Sequence, residues 1–250
     1  MPTLKEFFPE AIFGQGTFFE FNRIQLVRLV VVVVVCVTLC LIASRAKLVP
    51  GKAQSALELV MDFVDRNIVV GVLGIREGKR FAPMLTTIFI VVLAMNLSGA
   101  VPGLNIAGTS VVGMPLALAL WTFVTYVYFG VRKHGLAGYL KHETMPPGLP
   151  KPIYLLLVPI EFLQVVLIRW GSLTIRLLAN MVAGHMMLAV FVSMSQALLL
   201  GAWWMKAMSP LSFGLSLGIY GFEIFVAILQ AFIFAMLSAV YIQMATSDEH

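Results

Sequence analysis

Glu161, Gln164, Arg169, Arg176, Asn180, His185, Glu223 and Gln230 are polar side chains set in two long apolar runs near the end of this sequence. Their types divide the chemistry. An arginine keeps its proton, so Arg176 cannot relay one, but it can attract a carboxylate and favour its ionised form. His185 and Glu223 are groups that take up and release protons, and a buried pair of this kind can pass them on. Asn180 and Gln230 are neutral and can hold water or orient Arg176. The set reads as a proton path beside an electrostatic gate. The structural alternative is a buried ion pair that locks two helices together. Glu161 and Arg169 lie nearer one end of their run, where snorkelling to the interface competes with a role in transport.

The solvent around these residues follows from composition. Hydrophobic residues make up 60% of the 250, charged residues 12%, and the mean hydropathy is +0.95. A soluble domain is about half apolar and about a quarter charged. Such a chain belongs in a bilayer, where helices satisfy their own backbone. A charge at the bilayer centre costs at least about 2.5–3.5 kcal/mol, so each one kept there points to a function or a partner. The net charge of +5 is not a nucleic-acid footprint. It reports where the basic loops lie.

The elements that position the polar set can be read in order. Residues 24–44 form a first spanning helix, with six consecutive valines and Arg28 near its start. It follows an N-terminal segment, 1–23, containing Glu6, Glu10 and Glu20. It ends at Arg45 and Lys47 with no small-residue cleavage pattern, and is expected to be retained. Cys36 and Cys40 in this run read as small apolar residues. Residues 52–66 place Ala53, Ala56, Leu57, Val60, Phe63 and Val64 at helical spacing with charges mostly elsewhere, which predicts an amphipathic helix at the interface.

From 81 to 131 there is no Asp, Glu, Lys or Arg, and those 51 residues are too many for one crossing. "VPGLNIAGTS" supplies the turn between spans at 81–101 and 113–131. Basic residues cluster at 45–80 and again at 132–152, which ends in "MPPGLPKP". Both basic stretches are expected in the cytoplasm, with the N-terminus outside and the C-terminus inside.

The two final runs, 153–201 and 210–245, contain no hydrophilic loop of their own, and Trp203, Trp204 and Lys206 stand between them as an interfacial anchor. As helices they are roughly 70 and 50 Å long, against a hydrocarbon core of roughly 30 Å. The fold class is therefore an all-α integral membrane protein: upright spans, a short interfacial helix, and two long, strongly tilted helices in an antiparallel hairpin. In one register of that hairpin Arg176 falls level with Gln230, and His185 level with Glu223. His185 is nine residues from Arg176, which puts it on the opposite face of a straight helix unless Gly184 breaks the regularity.

"SLTIRLLANMVAGH" (172–185) resembles the signature of the subunit a family of F-type ATP synthases. "VPGKAQSALELVMDFV" (49–64), "APMLTTIFIVVLAMNLSGAVPG" (82–103) and "LQAFIFAMLSAVYI" (229–242) resemble further family segments in the right order. The resemblance covers nearly the whole chain. It implies that Arg176 is the arginine facing the proton-carrying carboxylates of a rotating ring of c subunits, with Asn180 and Gln230 as polar residues beside it. His185 and Glu223 match two half-channel positions where some members carry the acid first and the histidine second. The exchange preserves one acid and one imidazole at the same depth.

The mechanism so implied brings protons through one half-channel past His185 and Glu223 onto a ring carboxylate, which then rotates into lipid. Nearly a full turn later the proton leaves by a second half-channel near Glu161 and Arg169, while Arg176 blocks a direct leak. One charge crossing 100 mV releases about 2.3 kcal/mol, so several must pass per ATP. The implied partners are the c-ring, peripheral-stalk b-type subunits and membrane lipids, with protons rather than sodium as the ion. No cofactor, metal or nucleic acid is expected, and the subunit itself is expected to be non-catalytic, in a cell membrane. The alternative is a stand-alone ion-coupled secondary transporter, which predicts inverted repeats that are not visible. An intramembrane enzyme finds no HExxH or GxSxG to support it.

Overall fold

The structure, a computed structural model, describes residues 22–101, 109, 111–144, 151–201 and 203–247. Most of the external N-terminal segment expected at 1–23, most of the 101–110 turn and the Pro-rich part of the 132–152 loop lie outside the described residues. All regular structure among the described residues is helical: α1 (Arg23–Ser44), α2 (Lys52–Val64), α3 (Gly74–Ala100), α4 (Gly113–Thr144), α5 (Lys151–Leu163), α6 (Arg169–Leu200) and α7 (Trp203–Thr246). Five stretches are long and apolar enough to cross a membrane: Ile24–Ser44, Lys52–Ala100, Gly113–Lys141, Ile153–Leu200 and Met208–Thr246. The chain is an all-α membrane protein.

Local sequence explains the interruptions. α2 continues into a π-helical stretch, Asp65–Leu73, that ends at Gly74 with φ 75° and ψ 173°. That backbone region is open essentially to glycine alone. α3 therefore starts at Gly74, seven residues before the span expected from residue 81. α4 changes direction in the same way at Gly135 (φ 72°, ψ 164°). Between α5 and α6 a π-helical turn, Gln164–Ile168, keeps Ile153–Leu200 one uninterrupted helical path. Pro159 in α5 removes one backbone donor five residues before that turn.

The helices sort into two compact units, and α3, α6 and α7 each contribute to both. The first comprises Met1–Arg45, Val91–Val111 and Leu177–Ala231. In it Arg28, the one charge of the first apolar run, is half-buried and donates to the Val111 carbonyl at 2.8 Å. Asn96 accepts from Thr109 at 2.8 Å and donates to the Ala227 carbonyl at 3.5 Å, so a buried amide ties α3 to α7. Tyr220 donates to the Ala100 carbonyl at 2.6 Å. As numbers climb along α6 the partners on α7 fall: Asn180 meets Gln230, His185 meets Glu223, and the Phe191 carbonyl meets Ser212. The two helices are antiparallel. Most of α1 is exposed, including Val33, Val34 and the free Cys36 and Cys40, as befits a surface covered by lipid.

The second unit comprises Ala46–Ile90, Val112–Arg176 and Phe232–His250. Its centre is aromatic. Phe63 of α2 packs on Phe89 and Phe232, and Phe81 meets Phe129 edge-on at 4.9 Å. Thr122 and Ser238 share a hydrogen bond of 3.3 Å where α4 passes α7. Small residues make the approach close: Gly130 faces Tyr139 and the Ala245 carbonyl, and Ala235, Ala239 and Ala245 are fully buried.

Candidate functional site

In the first unit two polar rungs cross from α6 to α7. His185 Nδ1 lies 3.2 Å from Glu223 Oε1, with the two side chains only 12% and 6% exposed. Asn180 Nδ2 donates to Gln230 Oε1 at 3.2 Å. In the interval between these rungs the buried Met181 and Ala227 pack with Leu97 as an apolar spacer. Gly184 precedes His185 without breaking α6. A Cβ there would come to 3.5 Å from Glu223 Oε1, so the bare glycine keeps the carboxylate's surroundings open. The far sides of the rungs are unfinished: His185 Nε2, Glu223 Oε2 and Gln230 Nε2 are buried with no hydrogen-bond partner among the described residues. Buried polar atoms of this kind require a partner, and water is the one that also carries protons.

In the second unit the outstanding feature is an ion pair. Arg169 Nη2 lies 2.7 Å from Glu143 Oε2, and each side chain is 4% exposed. The reversal at Gly135 makes the contact possible, because it folds the tail of α4 back so that Tyr139 packs against Gly130 and Glu143 reaches α6. The rings of Tyr126 and Tyr241 stand 6.0 and 5.6 Å from the Arg169 guanidinium carbon, at the edge of cation–π range. Tyr126 also donates to the Val165 carbonyl at 3.0 Å, inside the π-helical turn. Here too polar atoms are left over: Glu143 Oε1, Arg169 Nη1 and Tyr139 Oη are buried without partners among the described residues.

Arg176 is different. It is exposed and makes no hydrogen bond or ion pair among the described residues. A cation on an apolar helix with no partner among the described residues is costly in a bilayer. Glu161, on α5, is half-buried and likewise makes no hydrogen bond or ion pair among the described residues. The structure thus joins His185 to Glu223 and Asn180 to Gln230, joins Arg169 to Glu143, and leaves Arg176 and Glu161 open. Gln230 is met by Asn180, one turn further along α6 than the Arg176 with which the hairpin register aligned it.

The family model for the ATP synthase A chain matches residues 25–243. The chain belongs to the ATP synthase A chain family. Two relatives illustrate the match, both described as ATP synthase subunit a. One, from Rhodococcus erythropolis, is 40% identical over 255 aligned residues covering 100% of this chain and 91% of the relative. The other, from Streptomyces lividans, is 32% identical over 250, covering 100% of this chain and 88% of the relative.

Within this family chain, Glu143 and the tyrosines around Arg169 are the polar residues that sequence reasoning passed over. Glu143 sits in "YLKHET", between basic residues in a stretch expected to be a solvated loop. One signal was available. Gly135 and Gly138 break that stretch, and Tyr139 and Glu143 are four apart, one helical face beyond the break.

Proposed function

We propose that this chain is the proton-conducting stator subunit of an F-type ATP synthase membrane sector, non-catalytic itself, working against a rotating ring of c subunits. The observation that carries the reading is Arg176, an exposed cation without a partner among the described residues, on a membrane helix of an ATP synthase A chain family member. Its missing partner is supplied by a ring carboxylate. A permanent cation stabilises that carboxylate when ionised and repels a proton attempting to pass directly between the two half-channels.

One half-channel runs past His185 and Glu223. The imidazole and carboxylate share one contact and keep Nε2 and Oε2 free at its two ends, an arrangement that can accept a proton on one side and release it on the other. Asn180 and Gln230 hold each other and offer the remaining amide hydrogens of Gln230 to water. The second half-channel involves Glu161 and the region of Arg169. The basic residues at 45–80 and 132–152 favour the cytoplasmic side of a bacterial cell membrane for both stretches, with the N-terminus outside. Two long helices that exceed the membrane thickness lie strongly tilted along the ring, and b-type subunits of the peripheral stalk hold the subunit still.

Reconstitution tests the reading. The purified chain alone in proteoliposomes is expected to carry no proton current under an imposed potential, and together with its c-ring and b-type subunits it is expected to conduct. Conduction by the chain alone overturns the proposal in favour of a stand-alone transporter.

A further inference from the structure

Arg169 and Arg176 are seven residues apart on α6 and therefore within about 20° of the same helix face. The structure treats them in opposite ways. Arg176 is exposed and unpaired among the described residues, whereas Arg169 is 4% exposed and bonded to Glu143 at 2.7 Å. Four titratable groups face Arg169: Glu143, Tyr126 and Tyr139 from α4 and Tyr241 from α7. Glu143 is the one carboxyl group among them. It arrives from outside the apolar spans, on the tail of α4 that Gly135 turns back.

A subunit that steers a mobile carboxylate with one permanent cation cannot tolerate an equal cation two turns away on the same face. A second bare guanidinium would hold the carboxylate ionised over a longer arc and blur the point at which it gains or loses its proton. A tight ion pair removes that field, because equal and opposite charges 2.7 Å apart act beyond a few ångströms only as a dipole.

We infer that Glu143 is the countercharge that silences Arg169, so that Arg176 is the single uncompensated cation α6 offers to the ring. Glu143 is thus a positioning residue for the field at Arg176 rather than a proton carrier. The inference rests on the reading of Arg176 as the ring-facing residue.

The test is passive proton conduction through the membrane sector stripped of its catalytic head, measured against pH and normalised to assembled subunit. Glu143→Gln leaves Arg169 uncompensated. The extra cation favours the ionised ring carboxylate and moves the midpoint to lower pH by about half a unit, the size expected from a charge about 10 Å away. Glu143→Gln combined with Arg169→Gln removes both charges and is expected to bring the midpoint back to that of the parent. A purely structural ion pair predicts instead less assembled subunit and lower conduction with an unmoved midpoint. That result, or an acid shift that persists in the double variant, overturns the inference. If Glu143→Gln does not assemble, Arg169→Gln leaves Glu143 as the uncompensated partner and is expected to move the midpoint the other way, to higher pH; no shift there counts against it. An unmoved midpoint while Arg176→Ala still abolishes pumping defeats this inference alone, and normal pumping by Arg176→Ala defeats the reading beneath it.

Discussion

Replacing His185 with alanine removes one half of a contact that is 3.2 Å long and almost fully enclosed, at 12% and 6% exposure of the two side chains. Solvent screens such a pair little, so its worth falls in the range for hydrogen bonds to a charged group, about 1.5–3 kcal/mol. At about 1.4 kcal/mol per factor of ten, that corresponds to a loss of about 10- to 150-fold in proton flux when transfer through the pair limits the rate. Glu223→Ala is expected to cost a similar factor. The losses are not expected to multiply, because each single variant already destroys the shared rung. The exchanged variant, His185→Glu with Glu223→His, restores one acid and one imidazole and is expected to recover a substantial part of the flux lost in His185→Glu alone. The assay is ATP-driven acidification of inverted membrane vesicles, normalised to subunit content and arranged as a double-mutant cycle. Independent sites add within about 0.5 kcal/mol, and a cycle that closes within that limit refutes a joint relay.

Three further expectations follow from packing and register. Gly130→Ala would place a Cβ 2.5 Å from a ring carbon of Tyr139 and 3.1 Å from the Ala245 carbonyl, and is expected to destabilise the chain by about 1–3 kcal/mol in thermal unfolding of the detergent-solubilised protein; an unchanged midpoint contradicts the folded-back tail of α4. Gly135→Ala meets φ 72° and ψ 164°, a region nearly closed to residues with a Cβ, and is expected to cost about 1–3 kcal/mol by the same measurement, whereas Gly138→Ala, which would only touch the His134 Cβ at 3.4 Å, is expected to cost far less. Asn180→Cys with Gln230→Cys, in a background lacking Cys36 and Cys40, is expected to form a disulfide on mild oxidation, while Asn180→Cys with Ser212→Cys is not; the reverse pattern contradicts the α6–α7 register.

The legible part of the structure came from periodicity and depth. Apolar runs of about 20 residues or more called for helices, since a helix satisfies its backbone within each run whereas the strands of a closed barrel are about 9–11 residues long. The antiparallel relation of the last two helices brought His185 to Glu223 because both stand at matching distances from the turn between them. The side-chain partner of Gln230 is Asn180, one turn beyond Arg176, a detail an index argument cannot supply because it does not see where side chains reach. What stayed hidden depends on backbone detail. The π-helical turn at Gln164–Ile168 and the positive-φ glycines 74 and 135 reorient whole segments, and a single sequence marks a glycine without saying which way it turns. For that reason Glu143 read as a loop charge and Arg169 as divided between snorkelling and transport, although the fold buries them against each other.

The most direct measurement is ATP-driven proton pumping by the assembled enzyme carrying Arg176→Ala, with subunit content checked in the same membranes. The side chain is exposed and makes no hydrogen bond or ion pair among the described residues, so its removal is expected to leave the fold intact. Coupled pumping is expected to vanish, and Arg176→Lys is expected to be badly impaired because an ammonium lacks the planar fork and can lose its proton when desolvated. Near-normal pumping by Arg176→Ala, with the subunit present at parental levels, contradicts the account.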